Sequence, residues 1–260
     1  MRRLFPVTEE TADHKGRGPL VDREWDLLEL AEAYAYPADR TPWLRANMVS
    51  SLDGAAQHEG RSQPLSSAAD MRIFGTLRGL ADAVVVGAET VRSEGYRPPR
   101  ERAVFAPLRA AAGQHPAPVM AVVSASLDLD FSLPLFTETV TPTLVLTGAE
   151  APADRVAAAR AAGAQIVIAG SARGVEPARM VAALAERGLT RLLTEGGPSL
   201  LGQLVAANVL DELCLSVAPV LTAGHAQRIA GGPTVEVPER FILSSLIEEA
   251  GFLFTRYCRN

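Results

Sequence analysis

The stretch TEGGPS at residues 194–199 sets one carboxylate, Glu195, directly before Gly196, Gly197 and Pro198 at a strand-to-helix turn. Two readings fit that spacing. Glycines let a backbone approach a ligand, and a new helix offers its unsatisfied N–H groups to an anion. Proline at the first helical position is equally ordinary punctuation, because its missing N–H would have no partner there anyway. A second carboxylate, Asp53, follows the run NMVSS, and Asp53-Gly54 is either a turn pair or an acid at the mouth of a cleft. Thr90, in VVVGAETV, either stabilises the first turn of the next segment or binds a phosphate through its hydroxyl. Arg78 either complements the dipole at the end of its helix or forks a phosphate. Ser67 and Asp70 have the spacing of a capping box with Asp in place of Glu or Gln, and Ser62 is a loop hydroxyl.

Other chemistries are disfavoured by composition. Lys15 is the only lysine, so neither a P-loop nor a buried Schiff-base amine can be drawn from the rest of the chain. His14, His58, His115 and His225 are scattered singly, without metal-ligand spacing, and no metal is expected. Cys214 and Cys258 form no CxxC pair and read as inert thiols in a reducing compartment. A net charge of −5 argues against broad attraction to nucleic acid, leaving a small molecule as the expected partner. No charged-then-apolar leader and no apolar run of membrane-spanning length is seen, so the expectation is a cytoplasmic protein without membrane association.

These residues need elements to position them. Residues 1–20 read as a mobile polar arm, and VDREWDLLELAEAYA as an amphipathic helix presenting Trp25, Leu28, Ala31 and Ala35, with Asp22, Glu24, Asp26 and Glu29 toward its start. Residues 1–41 are thus set apart from a main domain at 42–260. From Pro42 onward strand-length apolar runs alternate with helical segments: WLRANMVS, DAVVVG, PVMAVVS, TLVLTG, AQIVIAG, TRLLTEG, DELCLSVAPVL and GFLFTRYC as strands, with helices over 67–80, 152–162, 176–188 and 198–207. Runs such as Val84-Val85-Val86 fit strands buried on both faces of a largely parallel α/β sheet. The last two strands lack an intervening helix, which predicts an antiparallel edge. Ligands of open α/β sheets collect beyond the carboxyl ends of the strands, so Asn47 to Gly54, Gly87 to Glu94, Ser124 to Ser126, Gly170 and Glu195 to Ser199 are the expected site.

In order, SLDG, LRGLADAVVVGAETVRSEG and LLTEGGPSLLGQLVAANVLDELCLSVAPVL resemble the reductase domain of bifunctional riboflavin-biosynthesis proteins, over residues 42–258. The resemblance implies a three-layer, dihydrofolate reductase-like α/β fold and a homodimer. It implies NADPH against Val49, Thr90 and Glu94, with Gly197 to Gln203 cradling the pyrophosphate. Gly170, Gly196, Gly197, Pro198, Ser199 and Leu200 fall on the cofactor side, and Ser124 or Ser126 near the adenosine 2′-phosphate. Ser62, Arg78 and Glu195 would contact substrate, Arg78 at its phosphate and Glu195 at donors of a pyrimidine ring. The implied reaction moves hydride from NADPH to the ribose-derived C1′ of 5-amino-6-ribosylamino-uracil 5′-phosphate, opening the sugar into a ribityl chain. Asp53 would handle the proton or position a loop.

This chain has Asn47 where bifunctional members often have lysine, Pro64 where they have tryptophan, and Glu94 in place of a more usual aspartate. It lacks the H-x-E and P-C-x-x-C signature of their zinc deaminase half. A stand-alone reductase is the expectation. A reductase of another heterocycle, such as dihydrofolate, and a non-catalytic nucleotide-binding relative are the alternatives, since fold does not establish turnover.

Overall fold

The computed structural model describes residues 1–6 and 23–260; Lys15, His14, Val21 and Asp22 lie outside the described residues. The first half carries β1 (Arg2–Phe5), α1 (Leu27–Ala33), β2 (Trp43–Ser50), α2 (Ala68–Leu80), β3 (Ala83–Gly87), α3 (Ala88–Glu94), α4 (Ala106–Ala111) and β4 (Val119–Val123). The second half carries α5 (Pro134–Thr137), β5 (Leu144–Thr147), α6 (Ala153–Ala161), β6 (Gln165–Ile168), α7 (Pro177–Ala185), β7 (Arg191–Thr194), α8 (Pro198–Ala206), β8 (Glu212–Val217), β9 (Phe241–Glu249) and β10 (Phe252–Arg259).

The strands form one 10-stranded sheet in the order β1-β9-β10-β8-β2-β7-β3-β4-β5-β6. From β8 to β6 every pairing is parallel, and β10, β9 and β1 add an antiparallel edge. Helices cover both faces. Along β3, Val84 and Val86 pack with Ile73 and Leu77 of α2, whereas Ala83 and Val85 pack with Leu200, Leu201 and Leu204 of α8 and Met180 and Leu184 of α7. The period-two alternation of a strand thus divides one apolar run between two cores, giving the expected three layers.

Three expectations are corrected. Residues 2–5 are not a mobile arm: β1 pairs with β9, and Met1 is buried in the same core as α2. The short polar sequence hides this, because a four-residue edge strand needs only a neighbour with free backbone groups. The N-terminal helix begins at Leu27, capped reciprocally by Asp26 and Glu29, and buries Leu30 and Ala31 while Leu28 stands exposed. That cap, rather than the more distant acids, fixes where the helix starts, and packing of Leu30 and Tyr34 into the core sets the inward face. Among the described residues, β9, α3, α4 and α5 were also absent from the predicted layout. In β9 the pair Ser244-Ser245 interrupts the apolar pattern, and the three helices are short.

Candidate active site

The carboxyl ends of β2, β3, β4 and β7 open onto a cleft of about 1650 Å³. Val49, Ser62, Arg78, Thr90, Glu94, Ser124, Ser126, Glu195, Gly197, Pro198, Ser199 and Leu200 all line it. Residues spread over some 150 positions of sequence are thereby brought to one edge of the sheet, as strand-end geometry requires. Asp53, Gly170 and Gly196 stand outside the lining.

The TEGGPS turn is pinned to β3 at two points. Glu195 N–H donates to the Val85 carbonyl at 3.1 Å, and Gly87 N–H donates to the Gly196 carbonyl at 2.8 Å. Gly196 has φ +76°, a conformation that disfavours side chains, and Gly196–Gly197 is a cis peptide. A Cβ at Gly197 would sit 2.5 Å from Thr90 Oγ1, so glycine is what allows the turn and α3 to meet. Helix α8 then starts at Pro198 with no side-chain cap, leaving its first-turn N–H groups at the cleft wall. Gly196 lies outside the cleft lining and shapes this turn.

Glu195 is not a lone carboxylate. It is 7% exposed, and Arg78 grips it bidentately through Nε at 2.6 Å and Nη2 at 2.7 Å. The Tyr96 hydroxyl donates to Glu195 Oε2 at 2.6 Å. The Arg78 guanidinium lies over the Phe74 ring at 4.4 Å and near the Tyr96 ring at 5.2 Å. Burial disfavours the Arg78 cation, but the adjacent Glu195 carboxylate outweighs it and raises the Arg78 pKa. Burial first, and Glu195 second, push the Tyr96 phenol well above its ordinary value, so it remains a donor. Arg78 therefore faces Glu195, a pairing the sequence reading did not foresee. A carboxylate accepts about four hydrogen bonds, and these three leave Glu195 capacity for one ligand donor.

Glu94, at the end of α3, accepts the Ser62 backbone N–H at 3.0 Å and so closes the Ser62 loop over the cleft. Ser124 Oγ accepts the Leu127 N–H and Ser126 Oγ the Asp128 N–H, which leaves both hydroxyl protons for an acceptor on a ligand. Asp53 accepts from Ser51 Oγ at 2.5 Å and from the N–H groups of Ala223 at 2.7 Å and Thr222 at 3.2 Å. The Ser51 hydroxyl and then those backbone donors lower its pKa to about 2, so Asp53 anchors the 222–223 loop and is a poor proton donor. The catalytic reading of Asp53 gives way to the loop-positioning one. At Gly170, outside the cleft lining, a Cβ would lie 2.0 Å from the Gly174 carbonyl oxygen, so its glycine serves a close backbone crossing.

Two cleft residues escaped the sequence reading. Tyr96 has no local signal, because its partner is 99 positions away. Asp70 reads locally as half of a cap, and its N–H does donate to Ser67 Oγ at 3.1 Å. Its carboxylate, however, turns away from the reciprocal cap and binds Ser66 and Ser216 instead.

Residues 42–247 match the model of the RibD C-terminal domain. A 2,5-diamino-6-ribosylamino-4(3H)-pyrimidinone 5′-phosphate reductase of Archaeoglobus fulgidus is 29% identical over 209 residues, covering 80% of this chain and 92% of the relative. A reductase of the same name from Methanothermobacter thermautotrophicus is 29% identical over 187 residues, covering 72% and 82%. Among solved structures, a pyrimidine reductase-like protein of Corynebacterium diphtheriae superposes with a TM-score of 0.75 at 29% identity, covering 84% of this chain and 92% of the other. The riboflavin biosynthesis reductase Rib7 of Saccharomyces shares the fold, with a TM-score of 0.61 at 13% identity over 88% of this chain and 95% of that one. With the family match spanning most of the sheet and the whole TEGGPS turn, this chain belongs to the RibD C-terminal domain family and is a reductase of that family.

Proposed function

We propose that this protein uses NADPH to reduce a 6-ribosylamino-pyrimidine 5′-phosphate to its ribitylamino product in riboflavin biosynthesis. One observation carries the reading: a single cleft is lined both by the uncapped start of α8 and by a partly buried Arg78–Glu195–Tyr96 cluster. Small-molecule pockets are commonly on the order of 300–1,000 Å³, and this cleft, at about 1650 Å³, has room for two ligands in contact.

The α8 side of the cleft fits a dinucleotide. Gly197 clears the space beside Thr90, and the uncapped start of α8 offers N–H groups to a pyrophosphate. The hydroxyls of Ser124 and Ser126, after β4, also line the cleft and would meet the adenosine 2′-phosphate, with Thr90 after the intervening β3 and Val49 on β2 at the other side of the turn. Bound NADPH supplies the hydride. The chain's own contribution is alignment and exclusion of water, since holding donor and acceptor carbons in contact removes much of the entropic barrier.

On the substrate side, Glu195 would accept one ring donor while Arg78 and Tyr96 hold its carboxylate in place. A substrate lacking that donor would leave a desolvated acceptor unpaired, which is a strong source of selectivity. Arg78 Nη1 and Ser62, which also line the cleft, would meet the phosphate. The 2,5-diamino-pyrimidinone named for the relatives and the 5-amino-uracil differ only at ring position 2, and both fit this class. A homodimer and a cytoplasmic location belong to the same reading; among the described residues, no helix is long and apolar enough to cross a membrane.

The test is NADPH oxidation by purified protein with each ribosylamino-pyrimidine phosphate and, in parallel, with dihydrofolate. Turnover of a ribosylamino-pyrimidine phosphate alone is expected. Turnover of dihydrofolate alone would overturn the substrate class, and failure to bind NADPH would overturn the cofactor.

A further inference from the structure

The proposed reduction consumes a proton, and neither acid assigned above supplies it. Glu195 is held by a cation, and Asp53 lies outside the cleft with its pKa lowered to about 2. Asp70 is different. It lies in the first turn of α2, lines the cleft and is 7% exposed. Its Oδ2 is 2.5 Å from Ser66 Oγ and its Oδ1 is 2.6 Å from Ser216 Oγ, and no cation bonds to it among the described contacts. Ser66 also lines the cleft, whereas Ser216, 2% exposed on β8, does not. Only the Ser66 side of this short chain opens toward a ligand.

We propose that Asp70 and Ser66 form the proton-delivery pair of the reductase, with Ser66 as the group that touches the sugar. This rests on the function proposed above. Hydride arriving at C1′ forms the C1′–H bond as the C1′–O4′ bond breaks, and the electron pair of that bond stays on O4′. The Ser66 hydroxyl proton passes to O4′ while the Asp70 carboxyl proton replaces it on Ser66. The ribityl 4′-hydroxyl is formed, the nicotinamide is oxidised, and Asp70 is left as a carboxylate that regains its proton from solvent.

Charge and burial favour this assignment. Burial, only partly offset by the Ser216 and Ser66 hydroxyls, raises the Asp70 pKa, which favours the protonated form a donor needs. Charged groups on neighbouring elements are engaged elsewhere. Arg72 pairs with Glu249 and Glu24, Arg78 with Glu195, and Glu212 with Arg45 and Arg256. Among the described residues, no salt bridge therefore holds Asp70 ionised.

The alternative is that Asp70 only straps α2 to β8 through Ser216, and three variants separate the two. Asp70→Asn should lower kcat by about a hundredfold or more, the usual scale of general acid catalysis, while NADPH affinity is kept. Wild-type kcat should fall as pH rises through the donor's pKa, and that limb should disappear in Asp70→Asn. Ser66→Ala should lower kcat in the same direction without changing thermal stability. Ser216→Ala breaks the strap but not the relay, so it should lower Tm and retain turnover with its pH limb, displaced upward because a hydrogen bond that lowers the Asp70 pKa is lost. If wild-type turns over and Asp70→Asn keeps its kcat and pH limb, the relay is wrong and the function stands. If Ser216→Ala and Asp70→Asn lose kcat alike with an unchanged pH profile, Asp70 is only a strap. If the wild-type protein reduces neither ribosylamino-pyrimidine phosphate, both the function and the relay fall.

Discussion

At the scale of residues, the decisive unit is Glu195 with its two partners. A carboxylate buried beside an arginine and a phenol is oriented before substrate arrives, so little reorganisation is needed on binding. Tyr96→Phe removes one charge-assisted hydrogen bond, a loss of roughly 1.5–3 kcal/mol, and should lower kcat/KM by at least about tenfold. Glu195→Gln should do more, because it also leaves the Arg78 cation without its counter-charge. In both variants NADPH affinity, read by fluorescence titration, should stay near that of wild type; an equal loss of cofactor binding would move Glu195 into the cofactor site. The Glu195, Gly197 and Pro198 turn was legible because glycine, proline and a carboxylate leave a local pattern. Tyr96 was not, because a contact across 99 positions has no local signature. Asp70 was misread for the opposite reason: a genuine local pattern, Ser67 as the N-cap three positions before it, concealed a long-range use of its carboxylate.

At the scale of elements, the site depends on β2 and β8 staying in register, and a buried ionic cluster lies between them and α1. Arg45 and Glu212 are both fully buried; Arg45 Nη2 donates to Glu212 Oε2 at 3.0 Å, and Arg256 Nε donates to Glu212 Oε1 at 2.5 Å. The same two arginines donate to the carbonyls of Ala33, Tyr34 and Ala35, closing the C-terminal end of α1. Trp43 Nε1 completes the cluster by donating to Glu212 at 2.8 Å. Removing one member of a buried charge set leaves the others uncompensated, at a cost of about 3–5 kcal/mol. Glu212→Gln should therefore shift the urea midpoint strongly downward and loosen α1, seen as faster amide exchange over residues 27–35. A shift comparable to that of a surface substitution would show that water already screens the cluster. The parallel strands were legible from continuous β-branched runs, and α2, α6, α7 and α8 from length and punctuation. The edge strand β1 was not, because an edge strand is specified by its neighbour more than by its own composition, and β9 was not, because Ser244-Ser245 interrupts its apolar pattern.

At the scale of the whole molecule, one sheet gathers the residues proposed for both ligands at the carboxyl ends of its strands, and strand alternation divides its two cores. The central claim is that the cleft brings a reduced nicotinamide and a ribosylamino sugar into direct contact. The most direct measurement is isotope transfer: incubate the protein with NADPH deuterated at the transferable position of nicotinamide C4 and with the ribosylamino-pyrimidine phosphate, and locate the label by NMR and mass spectrometry. The account predicts one deuterium per product, at C1′ of the ribityl chain. Deuterium in the pyrimidine ring, or oxidation of NADPH without label in the product, would contradict it.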